Sequence, residues 1–200
     1  LWAYMWSALI EGGGEWLDYR PLASGERTNP WQQEASSRMI RAGDLVVFDC
    51  GMVGPFSYGA DISRAYHCGP GKPTDYQKKL YSIAHTEVIE NTKLVRSGAA
   101  FSDIARARYI PPEGFGDQLY PCLMHGLGMA DEWPAILHSP DHPEFFDGEL
   151  ETGMVLGIEP LVYQTGMGFG LQLKDMVLVT DSGCELLSDA TDTDKLTIIG

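Results

Sequence analysis

The run Leu45-Val46-Val47-Phe48, ending on Asp49, restricts the fold of this chain more than any other stretch. A continuous apolar run of this length reads as a buried strand. Gly51, Gly54, Pro55 and Gly59 then supply turn chemistry, and Ala60 to Tyr66 reads as a returning strand. The hairpin carries Asp49 and Asp61 on neighbouring strands, directed towards each other. Singly, an Asp at the end of an apolar strand is a cap or an ion-pair partner. Two inward carboxylates with no basic residue between them are costly to bury, so a cation is their natural complement.

The rest of the chain sets the context for that hairpin. Its 200 residues, 44% of them hydrophobic, suit one globular domain with a sizeable core. A net charge of -14 argues against nucleic acid and against an anionic membrane surface, because both need a basic footprint. No apolar run approaches the ~20 residues of a membrane span. Cys50, Cys68, Cys122 and Cys184 lie far apart without a C-x-x-C pair, which reads as reduced thiols in a cytoplasmic protein. The opening Leu1-Trp2-Ala3-Tyr4-Met5-Trp6 reads like the middle of a helix, so a longer parent protein is expected.

In chain order we expect a helix over Leu1 to Ile10, a strand over Asp18 to Ala23, and a polar loop from Ser24 to Pro30. Gln33 to Arg41 then connects to a tight turn at Gly43-Asp44. Gly69-Pro70-Gly71-Lys72-Pro73 looks like part of a phosphate loop, but Pro73 stands where Ser or Thr should follow the Lys. Thr74 to Val95 is the clearest helix, opened by a capping box of Thr74 and Gln77, and His85 on it reads as a surface or boundary residue rather than a ligand. Ser102 to Arg108 forms a second, shorter helix. Leu150 to Tyr163 and Leu171 to Thr180 read as strands joined by a Gly166 to Gly170 hairpin, before an acidic, polar tail from Ser188. His138 and His142 mimic a helical zinc pair, but Pro140 makes that segment a loop. The expected fold is α/β (α+β): one domain over residues 1–200, with helices packed on a curved, mostly antiparallel sheet.

Further segments converge on the hairpin. Met124-His125-Gly126-Leu127-Gly128 sets a His among apolar residues and glycines. Gly157-Ile158-Glu159-Pro160 sets a Glu in an apolar strand, and Leu171 to Met176 carries Lys174 and Asp175 in its middle. Each is weak alone. Oxygen ligands with one imidazole suit a borderline divalent ion such as Fe, Mn, Co or Zn.

This order of motifs (F-D-x-G, D-I-S-R, H-G-x-G, G-I-E-P and L-x-L-K-D-M-V-L-V-T) resembles the pita-bread superfamily of methionine aminopeptidases, prolidases and creatinase. The resemblance implies a two-metal centre held by two Asp, a His and two Glu, and it implies a homodimer with an N-terminal domain that this chain lacks. Carried over by motif, the metal ligands are Asp49, Asp61, His125 and Glu159, and the fifth position is Lys174 where the family has Glu. R-T-N-P-W-x-Q-E-A-S-S-R, M-V-G-P and H-G-x-G-x-x-D-E-x-P are similar to the metal-dependent dimethylsulfoniopropionate lyases of that superfamily. That branch has an additional Asp where this chain has Gly51. It also implies Asp131 as the catalytic base and Tyr120 as an active-site phenol. Asp131 occupies the place of a histidine that the peptidases keep, which weighs against peptide hydrolysis.

Charge sets the metal count. Asp49, Asp61 and Glu159 bring about three negative charges, which one divalent cation and the Lys174 ammonium balance. A second divalent ion overshoots, at about 4 kcal/mol per like-charge contact at ~4 Å and an effective dielectric near 20. One divalent ion at most is therefore expected, with none as the other possibility, and Lys174 in the second ion's electrostatic role. The expected activity is a β-elimination on a small carboxylate, with dimethylsulfoniopropionate as candidate substrate. In it Asp131 removes a proton, and a metal or Lys174 receives the carboxylate. A cage of aromatic faces, Trp31 and Trp133 among them, would attract the sulfonium. Xaa-Pro aminopeptidase or creatinase-like C–N hydrolysis is the alternative enzyme reading. A pita-bread binding module with a decayed metal centre is the non-enzymatic one.

Overall fold

A computed structural model describes residues 1–116, 120–164, 166–188 and 194–200. Helix α1 (Trp2–Glu11) leads to short strands β1 (Trp16–Leu17) and β2 (Leu22–Ser24), then to the long hairpin of β3 (Leu45–Val53) and β4 (Gly59–Cys68). Helices α2 (Asp75–Thr92) and α3 (Phe101–Ala107) follow. The second half is strand-rich: β5 (Cys122–Leu127), β6 (Ala135–Leu137), β7 (Val155–Ile158), β8 (Leu161–Tyr163), β9 (Gly170–Gln172), β10 (Asp175–Thr180), β11 (Gly183–Leu186) and β12 (Thr197–Ile199).

The strands form two five-stranded sheets and a separate β8–β9 hairpin. One sheet has the order β1-β3-β4-β12, with β2 also on β3; the other has the order β11-β10-β7-β5-β6. Among the described residues every strand pairing is antiparallel except β12 on β4. The sheets touch at an isolated bridge between Ser63 of β4 and Lys174, just before β10. The expected curved, mostly antiparallel sheet is what forms, and its two halves meet at the residues of interest.

Alternation explains the faces. Along β4, Asp61, Ser63, Ala65 and His67 are buried while the residues between them are half-buried, as period-two geometry requires. Helix α2 lays Leu80, Tyr81, Ile83, Ala84 and Val88 on Leu45, Val47 and Ala65, and on Leu161, Val162 and Leu171 of the β8–β9 hairpin. Its N-terminus is closed by the expected capping box: the Gln77 amide donates to Thr74 Oγ1 and the Thr74 amide to Gln77 Oε1. A second core packs Phe101 and Ile104 of α3 against Leu123, Met124, Ile136, Leu156, Ile158, Val177 and Val179.

Several boundaries differ from expectation. Of the strand expected over Asp18 to Ala23 only Leu22 and Ala23 form one, in β2; residues 18–21 are an irregular gap after β1. The polar loop after Ser24 contains a 3-10 turn (Gly25–Thr28) whose Thr28 is fully buried. The strand expected over Leu150 to Tyr163 breaks at Pro160, which has no N–H for a ladder. The tail contributes β12, and its residues 189–193 lie outside the described ones. The four cysteines are free thiols. No helix among the described residues is long and apolar enough to cross a membrane.

Candidate active site

The fold brings five charged or titratable side chains from five segments to the seam between the sheets. Asp49 comes from β3, Asp61 from β4, His125 from β5, Glu159 from the end of β7, and Lys174 from the lead into β10. All five are buried, between 0% and 4% exposed. Lys174 lies at their centre. Its Nζ is 2.6 Å from Asp61 Oδ2, 3.0 Å from Glu159 Oε1 and 3.2 Å from Asp49 Oδ1.

An ammonium carries three N–H donors, and here three carboxylates surround it. Burial by itself would lower the lysine's proton affinity, but Asp49, Glu159 and Asp61 outweigh it and hold the pKa well above the ordinary value. Lys174 is a fixed cation inside the acid cluster, turned away from solvent. The carboxylate-receiving role expected for it finds no uncommitted N–H.

The acids divide. Burial pushes Asp49 up to about 8, with Lys174 opposing and Asp61 and Glu159 adding to the rise, and the Ser63 hydroxyl donates to it at 2.5 Å. For Asp61, burial is overcome by His125 and Lys174, which hold it well below the usual carboxylate range. Gln172, missed in the sequence reading, donates to Glu159 Oε1 at 2.6 Å. His125 Nε2 lies 3.3 Å from both Asp61 Oδ2 and Glu159 Oε2. Its burial would lower the imidazole pKa, but those two carboxylates raise it to about 10. Gly157 pairs with His125 across β5–β7, and a Cβ there would meet His125 Nε2 at 3.3 Å and the Lys174 stem at 3.5 Å. The glycine of the G-I-E-P motif lets both side chains pass.

Whether these residues fit a divalent ion can be read from atoms left without partners. Asp61 Oδ1, His125 Nε2 and Glu159 Oε2 are all buried, and none has a hydrogen-bond partner among the described residues. Buried polar atoms without a well-formed hydrogen bond are costly, and Nε2 faces the Asp61 and Glu159 carboxylates at 3.3 Å, so the three residues offer two oxygens and one imidazole nitrogen as donors. Asp61, His125 and Asp131 also place one donor each within 4.8 Å of one another. The corner around His125 therefore fits one divalent ion. The space between Asp49, Asp61 and Glu159 does not fit another, because the ammonium fills it.

Asp131 lies on the other side of His125, with Oδ1 3.6 Å from Nδ1. Burial first, and then the Asp61 charge, raise its pKa above the usual value. Trp133, expected in an aromatic cage for the sulfonium, instead points outward, 62% exposed, with its ring 5.4 Å from Phe146. Trp31 is a core residue packed in the α2 cluster and forms no part of a cage. Tyr120 does reach the site: it lines a cavity of about 220 Å³ together with Tyr19, Asp49, Glu132, Glu159 and Lys174. The exposed Arg20–Glu34 pair lines it too.

Tyr19 is the residue that the sequence reading passed over. Its hydroxyl is buried without a well-formed hydrogen bond, and burial, then Asp61 and Asp49, keep the phenol far above the usual tyrosine range. It stays a neutral donor beside the acids.

Comparison with known proteins accords with this geometry. The sequence matches metallopeptidase family M24 over residues 1–181. It is 37% identical over 190 residues to dimethylsulfoniopropionate lyase DddP of Roseovarius nubinhibens, covering 94% of this chain and 42% of that one. It is 33% identical over 171 residues to the Xaa-Pro dipeptidase of Pyrococcus furiosus, covering 84% and 46%. Among solved structures, the X-Pro aminopeptidase from Thermotoga maritima superposes with a TM-score of 0.82 at 27% identity, covering 98% of this chain and 53% of that one. The prolidase from Pyrococcus furiosus gives 0.81 at 28% identity, covering 95% and 55%. The chain thus spans less than half the length of these curated relatives. Motif order, the curved sheet and the buried acid–imidazole corner agree with these likenesses, and the chain belongs to metallopeptidase family M24, with the pita-bread fold.

Proposed function

We propose that the protein is a carbon–sulfur lyase that carries out β-elimination on a small carboxylate, with dimethylsulfoniopropionate as substrate. The observation that carries this reading is Asp131. A half-buried carboxylate of raised proton affinity stands beside the only imidazole of the centre among the described residues. A base of that kind suits abstraction of a carbon-bound proton.

In this reading Asp131, next in sequence to Glu132 of the cavity wall but not itself part of the lining, takes a proton from the carbon next to the substrate carboxylate. The electron pair of that C–H bond forms the new C=C bond, the C–S bond breaks, and the sulfonium leaves as neutral dimethyl sulfide, giving acrylate. Tyr120, whose burial and then Glu159 keep it protonated, donates to the substrate carboxylate from the cavity wall. The carboxylates of Glu132 and Glu34 and the ring of Tyr19 face the sulfonium. A cavity of about 220 Å³ is small beside the ~300–1,000 Å³ of drug-sized pockets, in keeping with a substrate of a few atoms. A divalent ion held by Asp61, His125 and Glu159 supplies, when bound, positive charge that makes the adjacent C–H more acidic.

The test is headspace analysis for dimethyl sulfide after incubating the metal-supplemented protein with dimethylsulfoniopropionate. Release that disappears in Asp131→Asn supports the reading; no release removes the substrate assignment. A second reading, a binding module whose metal centre has decayed, is favoured by Lys174, which contacts every carboxylate of the centre. It predicts saturable binding of the compound, by calorimetry, without turnover.

A further inference from the structure

We propose that Lys174, Tyr19 and Gly51 act as one unit that takes the place of a second divalent ion, leaving a mononuclear site at the corner of Asp61, His125 and Glu159. The inference concerns how the centre is filled and does not depend on which reaction it supports.

The first part is the ammonium. Its three partners approach at 2.6, 3.0 and 3.2 Å, on the oxygens that an ion shared between Asp49, Asp61 and Glu159 would need. An ion bound at ~2.0–2.2 Å from the same oxygens would sit where the nitrogen already is. Arg64 holds the backbone that presents the lysine, donating to the Lys174 carbonyl at 2.6 Å and to Asp175 Oδ1 at 2.6 Å. The lysine is anchored at both ends.

The second part is the aromatic ring. Gly51 lies directly across from Asp61 in the β3–β4 ladder, so a side chain at 51 would share the face that carries Asp61. That space is taken. A Cβ on Gly51 would lie 2.4 Å from Tyr19 Cε1, 2.7 Å from Cζ and 3.0 Å from Cδ1. Tyr19 in turn sets its ring 5.9 Å from Lys174 Nζ, within cation–π range. Glycine at 51 admits the ring, the ring walls one side of the ammonium, and the ammonium neutralises the acids. Each residue makes room for the next.

The third part is what the unit leaves open. Asp61 Oδ1, His125 Nε2 and Glu159 Oε2 are buried and make no well-formed hydrogen bond among the described residues. Together they offer two oxygens and one imidazole nitrogen, a donor set that suits one ion.

Metal analysis of protein dialysed against Mn²⁺ or Co²⁺ tests the proposal. The expected content is one equivalent per chain in the wild type and two in Lys174→Glu, which exchanges the ammonium for a fourth acid and fifth ligand. Two equivalents in the wild type would show that the ammonium excludes nothing; none would show that a proton, and no ion, fills the corner. Either result overturns the proposal. The ring's part is read by thermal unfolding. Gly51→Ala should lower Tm by roughly 2–12 °C in the wild type and by little in a Tyr19→Ala background. Equal losses in both backgrounds would break the unit apart, whether or not Lys174→Glu folds.

Discussion

Replacing Lys174 with methionine keeps most of the side-chain volume and deletes the charge. The change leaves Asp49, Asp61 and Glu159 buried around a point with no cation. At the observed 2.6 to 3.2 Å separations and an effective dielectric of about 20, each contact carries roughly 5–6 kcal/mol of gross attraction. Most of that offsets the desolvation of four charged groups, so the expected net loss is the ~3–5 kcal/mol typical of breaking a buried pair. For a domain of this size the loss corresponds to a fall in Tm of roughly 6–20 °C. Thermal unfolding of wild type and Lys174→Met in EDTA at pH 8 measures it. The sign with pH is fixed: orphaned carboxylates take up protons as pH falls, so the difference should shrink in acid. A divalent ion supplied in place of EDTA should recover part of it. Equal Tm values in EDTA at pH 8 would refute the claim that the ammonium neutralises this cluster.

Three further outcomes are expected. Asp131→Asn should cut dimethyl sulfide release by about 10²–10⁴-fold while Glu132→Gln, on the cavity lining, costs far less; the reverse order would move the base to Glu132. Glu87 on α2 is 1% exposed with both oxygens bare among the described residues, and burial, opposed by Arg108, pushes its carboxyl up to about 8 from an ordinary 4.5. The folded chain then binds more protons than the unfolded one across that window, so stability falls as pH rises through it, by up to ~1.4 kcal/mol per pH unit. Glu87→Gln should flatten that slope in denaturant titrations at pH 5 and pH 8. Thr74→Ala, which removes the capping box of α2, should cost about 0.5–2 kcal/mol in the same assay.

The sequence carried the acid positions clearly and their surroundings poorly. Asp49 and Asp61 were legible because an apolar run and an alternating strand leave few ways to place two carboxylates. His125 and Glu159 came from motifs flanked by glycine, and Gly157 is where that glycine has a steric reason. Lys174 was visible only as a departure from a family pattern. That it points inward follows from the alternation Leu171-Gln172-Leu173-Lys174, which puts Gln172 and Lys174 on one face, but nothing local said which face meets the other sheet. Tyr19 left no signal of its own, since it sits in an irregular gap between two strands too short for periodicity. The available clue was Gly51, a missing side chain whose space something else had to fill. Trp133 misled because sequence proximity to Asp131 says nothing about direction, and its ring turns to Phe146. The strand at Thr197–Ile199 was unreadable, being three residues whose partner is the distant β4.

The bridge between Ser63 and Lys174 has a practical corollary. The two sheets join through that pair of backbone contacts, Arg64's grip on the Lys174 carbonyl and the Gly59–Gly128 hydrogen bond, so the buried acid cluster also works as the clasp that fastens one half of the molecule to the other. Anything that settles there tightens the clasp and raises the melting temperature through mass action. A thermal-shift screen of metals and small zwitterions would therefore report occupancy of this centre independently of turnover.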